Sequence, residues 1–168
     1  MSRHVEDAKS RELQAMQDQN QVSKAFQLIQ TWHTGQLYGD RPYVEHLIEV
    51  LKSCEAHLHT TTLTPWKVRV VALLHDLFED TECPFDTIVE IFSMEIALAL
   101  QAISKPRSYT KRDYALYITT VCANPLAWFA KVHDTECNLT NSMLEGNHYR
   151  IIRYSTQLAD LHKGYRPV

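Results

Sequence analysis

Val71-Ala72-Leu73-Leu74-His75-Asp76-Leu77-Phe78-Glu79-Asp80-Thr81 is an apolar run that carries four ionisable side chains at its C-terminal end. Removing an unpaired carboxylate or imidazole from water costs several kcal/mol, so such groups in a buried segment should be paired, hydrogen-bonded or bound to a cation. If the run is one helix, residues four apart share a face, which stacks His75 over Glu79 and Asp76 over Asp80. Three carboxylates this close repel one another unless a proton or a divalent metal lies among them. Imidazole beside carboxylate oxygen suits a first-row metal such as manganese, iron or zinc. The same residues read equally as an ordinary buried helix whose last turn emerges at Glu79, with His75 a hydrogen-bonded core histidine.

Upstream, Thr64-Pro65 combines an N-cap hydroxyl with a proline suited to the first helical position. The β-branched run Val68 to Leu74 could by composition be a buried strand. The cap, the length to Glu79 and the absence of any sheet partner favour one continuous central helix. Further upstream, Val22, Ala25, Phe26, Ile29 and Trp32 follow a helical rhythm that ends at His33. His33 to Tyr43, with two glycines and Pro42, reads as a loop. Pro42 then opens a helix whose apolar face is Val44, Leu47, Ile48 and Leu51. Residues 1–20 are polar and read as an extension, either a frayed helix or a tail, with residues 21–168 forming one domain.

Downstream of a break at Cys83-Pro84, the pattern predicts a short helix from Pro84 to Phe92 and a Ser93-capped helix from Met94 to Ser104. A basic turn, Lys105-Pro-Arg-Ser-Tyr109, leads to a Thr110-capped helix carrying Tyr114, Tyr117, Ile118 and Val121. Asn124-Pro125 is a second cap-and-proline pair. The helix it opens, Leu126 to about Leu144, places Lys131, Asp134 and Asn138 on one stripe. A last helix through Ile151, Ile152, Tyr154 and Leu158 runs to Leu161. The expected fold is all-α, a single helical bundle of about seven or eight helices.

Composition agrees. At 168 residues the chain can bury a core without disulfides, and only 4 glycines disfavour a turn-rich β architecture. A formal net charge of −3 leaves no electrostatic footprint for nucleic acid or an anionic membrane. Cys54, Cys83, Cys122 and Cys137 have neither CxxC nor zinc-finger spacing and read as reduced thiols. With no secretory signal and no apolar run of membrane-spanning length, the expected location is cytoplasmic.

Metal-compatible residues thus lie at three separated places near helix ends: His33, His75-Asp76 and Asp134. This H…HD…D pattern resembles the HD phosphohydrolase superfamily. Within it, the chain is similar to the hydrolase domain of the RelA/SpoT family and its small alarmone-hydrolase and Mesh-type relatives. The resemblance covers roughly residues 21–142. It rests on His33-Thr-Gly-Gln36, Pro42-Tyr43-Val-Glu-His46-Leu, Ala72-Leu-Leu-His-Asp-Leu-Phe-Glu-Asp-Thr81, and Lys131-Val-His-Asp134 with Asn138-Leu139. It implies His33, His75, Asp76 and Asp134 as ligands of one divalent ion. Manganese is expected, with iron, zinc and cobalt compatible. It implies Glu79 and Asp80 as the acidic pair governing the attacking water, with Lys131 and Asn138 as pocket residues.

Arg41, Tyr43, His46 and Lys105 are expected beside the substrate, His46 by hydrogen bonding rather than by metal ligation. Trp32, Trp66 and Trp128 are expected in the core, His57 and His59 in solvent, and His133 as a bystander on another face. The implied activity is hydrolysis of the 3′-pyrophosphate of guanosine tetra- or pentaphosphate. Alternatives are a nucleotidase or deoxynucleotide triphosphohydrolase on the same centre, and a regulatory module that binds nucleotide without turnover. A small-molecule nucleotide is the expected partner, nucleic acid and membrane are not, and homo-oligomerisation is left open. The chain departs from the alarmone hydrolases after HxGQ, where Leu37-Tyr38 stand in place of a basic pair. His133 and Thr135 replace the usual alanine and basic residue around Asp134.

Overall fold

The computed structural model describes residues 3–165. Among these the expected all-α bundle is present, with one minimal hairpin in addition. Helix α1 spans Arg3–Trp32. Its second half buries Val22, Ala25 and Ile29, whereas Leu13 and Met16 in the first half are exposed. The extension expected over residues 1–20 is therefore helical from Arg3 onward, with Met1 and Ser2 outside the described residues. The physical reason is propagation: residues 8–20 contain no glycine or proline and are rich in good helix formers, so the helix extends backwards from its packed half.

The loop after α1 forms a two-stranded ribbon, β1 (Leu37–Tyr38) and β2 (Arg41–Pro42), with Tyr38 opposite Arg41. Its two-residue turn needs a left-handed backbone, which Gly39 adopts at φ 64°. Helix α2 (Tyr43–Ala56) begins directly after Pro42 and buries His46, Leu47, Val50, Leu51 and Cys54.

Helix α3 (Pro65–Leu74) is the centre of the molecule. Val68 and every residue from Val70 to Leu74 are buried, because the helix is packed between α1 and α2 and the later helices. The helix reading of this β-branched run holds, and Pro65 occupies the first turn, but the Thr64 side chain makes no capping hydrogen bond. The helix also stops at Leu74 rather than running to Glu79. Asp76 has φ −100° and ψ 2°, which is not helical, and a separate one-turn helix α4 spans Leu77–Asp80.

Helices α5 (Phe85–Ile91) and α6 (Met94–Ile103) follow, and α6 is capped by Ser93, whose hydroxyl accepts from the Ile96 amide. The Thr110 hydroxyl caps a short 3₁₀ turn that leads into α7 (Tyr114–Cys122). Asn124 caps α8 (Pro125–Leu144), its side-chain oxygen accepting from the Ala127 amide at 3.0 Å. Asn147 caps α9 (His148–Gly164), which packs back along α8. Trp128 joins these two helices, its indole N–H donating to the Leu161 carbonyl at 3.0 Å. No helix among the described residues is long and apolar enough to cross a membrane.

Leu73 is fully buried and Ile152 is exposed. Leu73→Ala should therefore cost about 2–5 kcal/mol in urea denaturation, and Ile152→Ala should change stability by no more than about 0.5 kcal/mol.

Candidate metal centre

The break after α3 positions the first two residues. His75 is the last residue of the α3 spiral, 1% exposed, and its Nδ1–H donates to the Ala72 carbonyl at 2.7 Å. That bond satisfies a carbonyl left without a partner at the helix end and fixes the tautomer. Nε2 is consequently aimed into the interior, 3.0 Å from Asp76 Oδ2 and 3.5 Å from Asp134 Oδ1. Neither approach has hydrogen-bond geometry, and Nε2 counts among the buried atoms without a partner. Asp76 Oδ2 instead accepts from the Tyr43 hydroxyl at 2.6 Å.

The α8 stripe supplies the rest. Lys131, Asp134 and Asn138 share one face, as their spacing predicts, and all three are buried. Lys131 Nζ donates to Asp134 Oδ2 at 2.6 Å, and Asn138 Nδ2 donates to Asp134 Oδ1 at 2.5 Å. From α2, His46 Nε2 lies 3.2 Å from Asp134 Oδ1. One ligand atom each from His46, His75 and Asp134 falls within 4.8 Å of the others. His46, expected only to support the substrate, therefore belongs to the cluster itself.

His33 stands beside it: its Nδ1 is 2.7 Å from Gln36 Oε1 and its ring stacks on Tyr43 at 5.1 Å. Among the described residues, four buried side-chain atoms lack a hydrogen-bond partner. Three are imidazole nitrogens, His33 Nε2, His46 Nδ1 and His75 Nε2, and of these His75 Nε2 faces the Asp134 carboxylate. Buried polar atoms are otherwise almost always satisfied, and the group His46, His75 and Asp134 could hold a metal ion.

The electrostatics agree. Burial works against a charged imidazole at His75, but the Asp76 carboxylate, with Asp134 behind it, outweighs burial and lifts its pKa to about 10. Burial likewise opposes ionisation of Asp134, yet Lys131, His46 and His75 hold its carboxyl well below the usual range. Asp76 is held low in the same way, chiefly by His75. The same negative potential that favours a proton on His75 favours a divalent cation, and mixed nitrogen and oxygen donors fit manganese, iron or zinc.

A cavity of ≈170 Å³ lies over this cluster. Glu79 and Asp80 line it. Glu79 Oε2 accepts from the Lys105 backbone amide at 3.0 Å, with Lys105 Nζ at 3.4 Å from Oε1, and Asp80 accepts from Gln36 Nε2 at 3.3 Å. Tyr43, Lys105, Lys131 and Asn138 also line the cavity. Arg41 does not: its guanidinium is engaged by Glu49 at 2.7 Å, because β2 turns it towards the outer face of α2. Outside the cluster, His57 is not simply solvated, since its ring stacks on His133 at 4.8 Å. His133 does turn away from Asp134, as expected, towards Ser53 and Glu136.

Sequence reasoning missed the lid of the cavity. Tyr38 stacks on His46 at 4.6 Å, donates its hydroxyl to Asn138 Oδ1 at 2.6 Å and accepts from Arg150 Nη2 at 3.0 Å. Arg153, Tyr154 and Gln157 of α9 complete the wall. The polar spacing Arg150, Tyr154, Gln157 on an otherwise amphipathic helix was the available signal.

These features define an all-helical domain organised around a buried histidine–aspartate centre suited to a divalent ion. No family model matches the chain. In sequence it is similar to the guanosine-3′,5′-bis(diphosphate) 3′-pyrophosphohydrolase MESH1 of Danio rerio, 30% identical over 84 residues, which are 48% of this chain and 45% of that protein. The protein of the same name from Drosophila melanogaster is 30% identical over 76 residues, 44% of this chain and 40% of that one. A probable guanosine-3′,5′-bis(diphosphate) 3′-pyrophosphohydrolase of Mycoplasma genitalium is 31% identical over 94 residues, 55% of this chain and 12% of that one. The chain spans less than half the length of these curated relatives. In structure it matches a solved metazoan ortholog of SpoT with a TM-score of 0.72 and 21% identity, covering 87% of this chain and 85% of that one. The chain thus shares the fold of the solved metazoan ortholog of SpoT, and the resemblance read from the sequence is matched by the similarity to these relatives.

If these donors hold a cation, excess manganese should raise the melting temperature of the wild type, by the equivalent of about 2.7 kcal/mol at a hundredfold excess over Kd. It should leave His75→Ala unmoved in the same thermal scan. In chelator, Lys131→Met should cost about 3–5 kcal/mol by leaving Asp134 buried beside Asp76 without its strongest partner. Manganese should restore part of that loss in urea titrations.

Proposed function

We propose that the protein is a metal-dependent nucleotide phosphohydrolase that removes the 3′-pyrophosphate of guanosine tetra- or pentaphosphate. The observation that carries this reading is the buried group His46, His75 and Asp134, whose ligand atoms lie within 4.8 Å of one another beside a cavity lined by Glu79 and Asp80. His33, His75, Asp76 and Asp134 are the proposed ligands, with His46 close enough to Asp134 to share that role, and manganese is the proposed metal. These residues would hold a divalent ion, which would supply a water of near-neutral pKa and polarisation of a phosphoryl oxygen.

The remaining work falls to side chains of this chain. Glu79 and Asp80 line the cavity as carboxylates able to orient a water and take its proton. Glu79 is held in place by the Lys105 amide. Lys105, Lys131 and Arg153 line the same cavity and offer counter-charge to a pyrophosphate within a protein of net negative charge. Tyr38, Arg150 and α9 exclude bulk water from one side. The overall reaction takes up one water and releases pyrophosphate, leaving the 5′-di- or triphosphate on the nucleoside.

Incubation of the full chain with manganese and guanosine tetraphosphate, dNTPs or nucleoside monophosphates, followed by chromatography, tests this reading. Pyrophosphate and guanosine diphosphate are the expected products. Glu79→Ala should lower kcat by roughly 10²–10⁴-fold, the range for loss of a general base. Inorganic triphosphate from dNTPs, or phosphate from monophosphates, would place the activity with the other HD nucleotidases. Tight nucleotide binding without turnover, surviving Asp76→Ala, would make the protein a regulatory module.

A further inference from the structure

The cavity over the histidine cluster measures ≈170 Å³, room enough for a pyrophosphate. A second cavity of ≈660 Å³, within the ~300–1,000 Å³ range of small-molecule sites, adjoins it. Lys105 lines both, and Phe78 of the larger cavity is the chain neighbour of Glu79 in the smaller. Where the smaller cavity is polar, the larger is walled by the rings of Phe78, Phe85, Tyr109 and Tyr117. Phe78 and Phe85 are 6.0 Å apart, and Tyr109 and Tyr117 meet edge to face at 5.9 Å.

The two cavities also differ in charge. Lys105 Nζ stands 4.9 Å over the Tyr117 ring at the shared wall. Asp113 lines only the larger cavity, where the Thr110 hydroxyl and amide donate to its carboxylate and hold it ionised. Phosphates are drawn to the Lys105 side and repelled from Asp113, whereas ring N–H donors suit a fixed carboxylate. The hairpin after His33 leaves the base little else. Leu37 is apolar and exposed, and the Tyr38 hydroxyl is already bonded to Asn138 and Arg150.

We propose that the larger cavity binds the purine base of the nucleotide substrate, the ring stacking on its aromatic walls with its N–H edge towards Asp113. The sugar and phosphates then pass Lys105 into the cavity over His75 and Asp134. This inference rests on the nucleotide reading above.

Guanosine, which carries no phosphate, separates the two. Titrated into the wild-type protein under amide-detected NMR, it should perturb Phe78, Tyr109 and Thr120 and spare Tyr38 and Asn138. Thr120→Trp, which fills the cavity from an exposed position of α7, should weaken guanosine at least tenfold while the manganese-induced thermal shift persists. Perturbations centred on the hairpin and α9, unchanged affinity in Thr120→Trp, or no binding up to the solubility limit would overturn the proposal. The wild-type map decides by itself if the variant fails to fold. Guanosine bound in this cavity without turnover of any nucleotide would sink the hydrolase reading alone. Turnover with guanosine bound elsewhere would sink the base site alone.

Discussion

The carboxylate of Asp134 is buried, and every element around it is set by the need to satisfy that one charge. Its oxygens face Lys131 and Asn138 from its own helix, His46 from α2 and His75 from the end of α3. An ionised carboxylate out of water is tolerated only when donors or cations surround it. Three helices must therefore meet in one register, since sliding any of them by a turn would withdraw a partner. The network is costly as a stabilising device, and its better explanation is the concentrated negative potential it maintains at a defined point.

The central helix serves that point by ending early. The last turns of α3, Val70 to Leu74, are buried on every side, so a continuous spiral would carry His75 and Asp76 past the cluster on a fixed helical pitch. The break at Asp76 frees the two side chains from that pitch, and the Nδ1 bond of His75 to Ala72 fills the gap it opens in the carbonyl ladder. Packing supplies the rigidity and the break supplies the aim. The same turn starts α4, which places Glu79 and Asp80 at the cavity wall beside Lys105.

On the opposite side, Arg150 donates to Tyr38, Tyr38 to Asn138, and Asn138 to Asp134. Each donor polarises the next, so α9 and the hairpin are electrically coupled to the buried carboxylate as well as packed over it. This explains how a chain with Leu37-Tyr38 after its HxGQ motif can keep an ordered site wall. The tyrosine secures the wall through its bonds to Asn138 and Arg150.

Much of this was legible in the linear chain. The 3.6-residue periodicity fixed the helices, Ser93 and Asn124 marked their starts, and the stripe Lys131, Asp134, Asn138 follows from helix geometry alone. Local signals of this kind survive because each depends only on near neighbours along the chain. Tertiary structure alone brought His46 into the cluster, sent Arg41 outwards to Glu49, ended α3 at Leu74 and closed α9 over the cavity. The first and last of these outcomes depend on distances between residues 88 to 112 positions apart in the chain, His46 to Asp134 and Tyr38 to Arg150. No local periodicity encodes such distances; they are set by how whole helices share one buried charge.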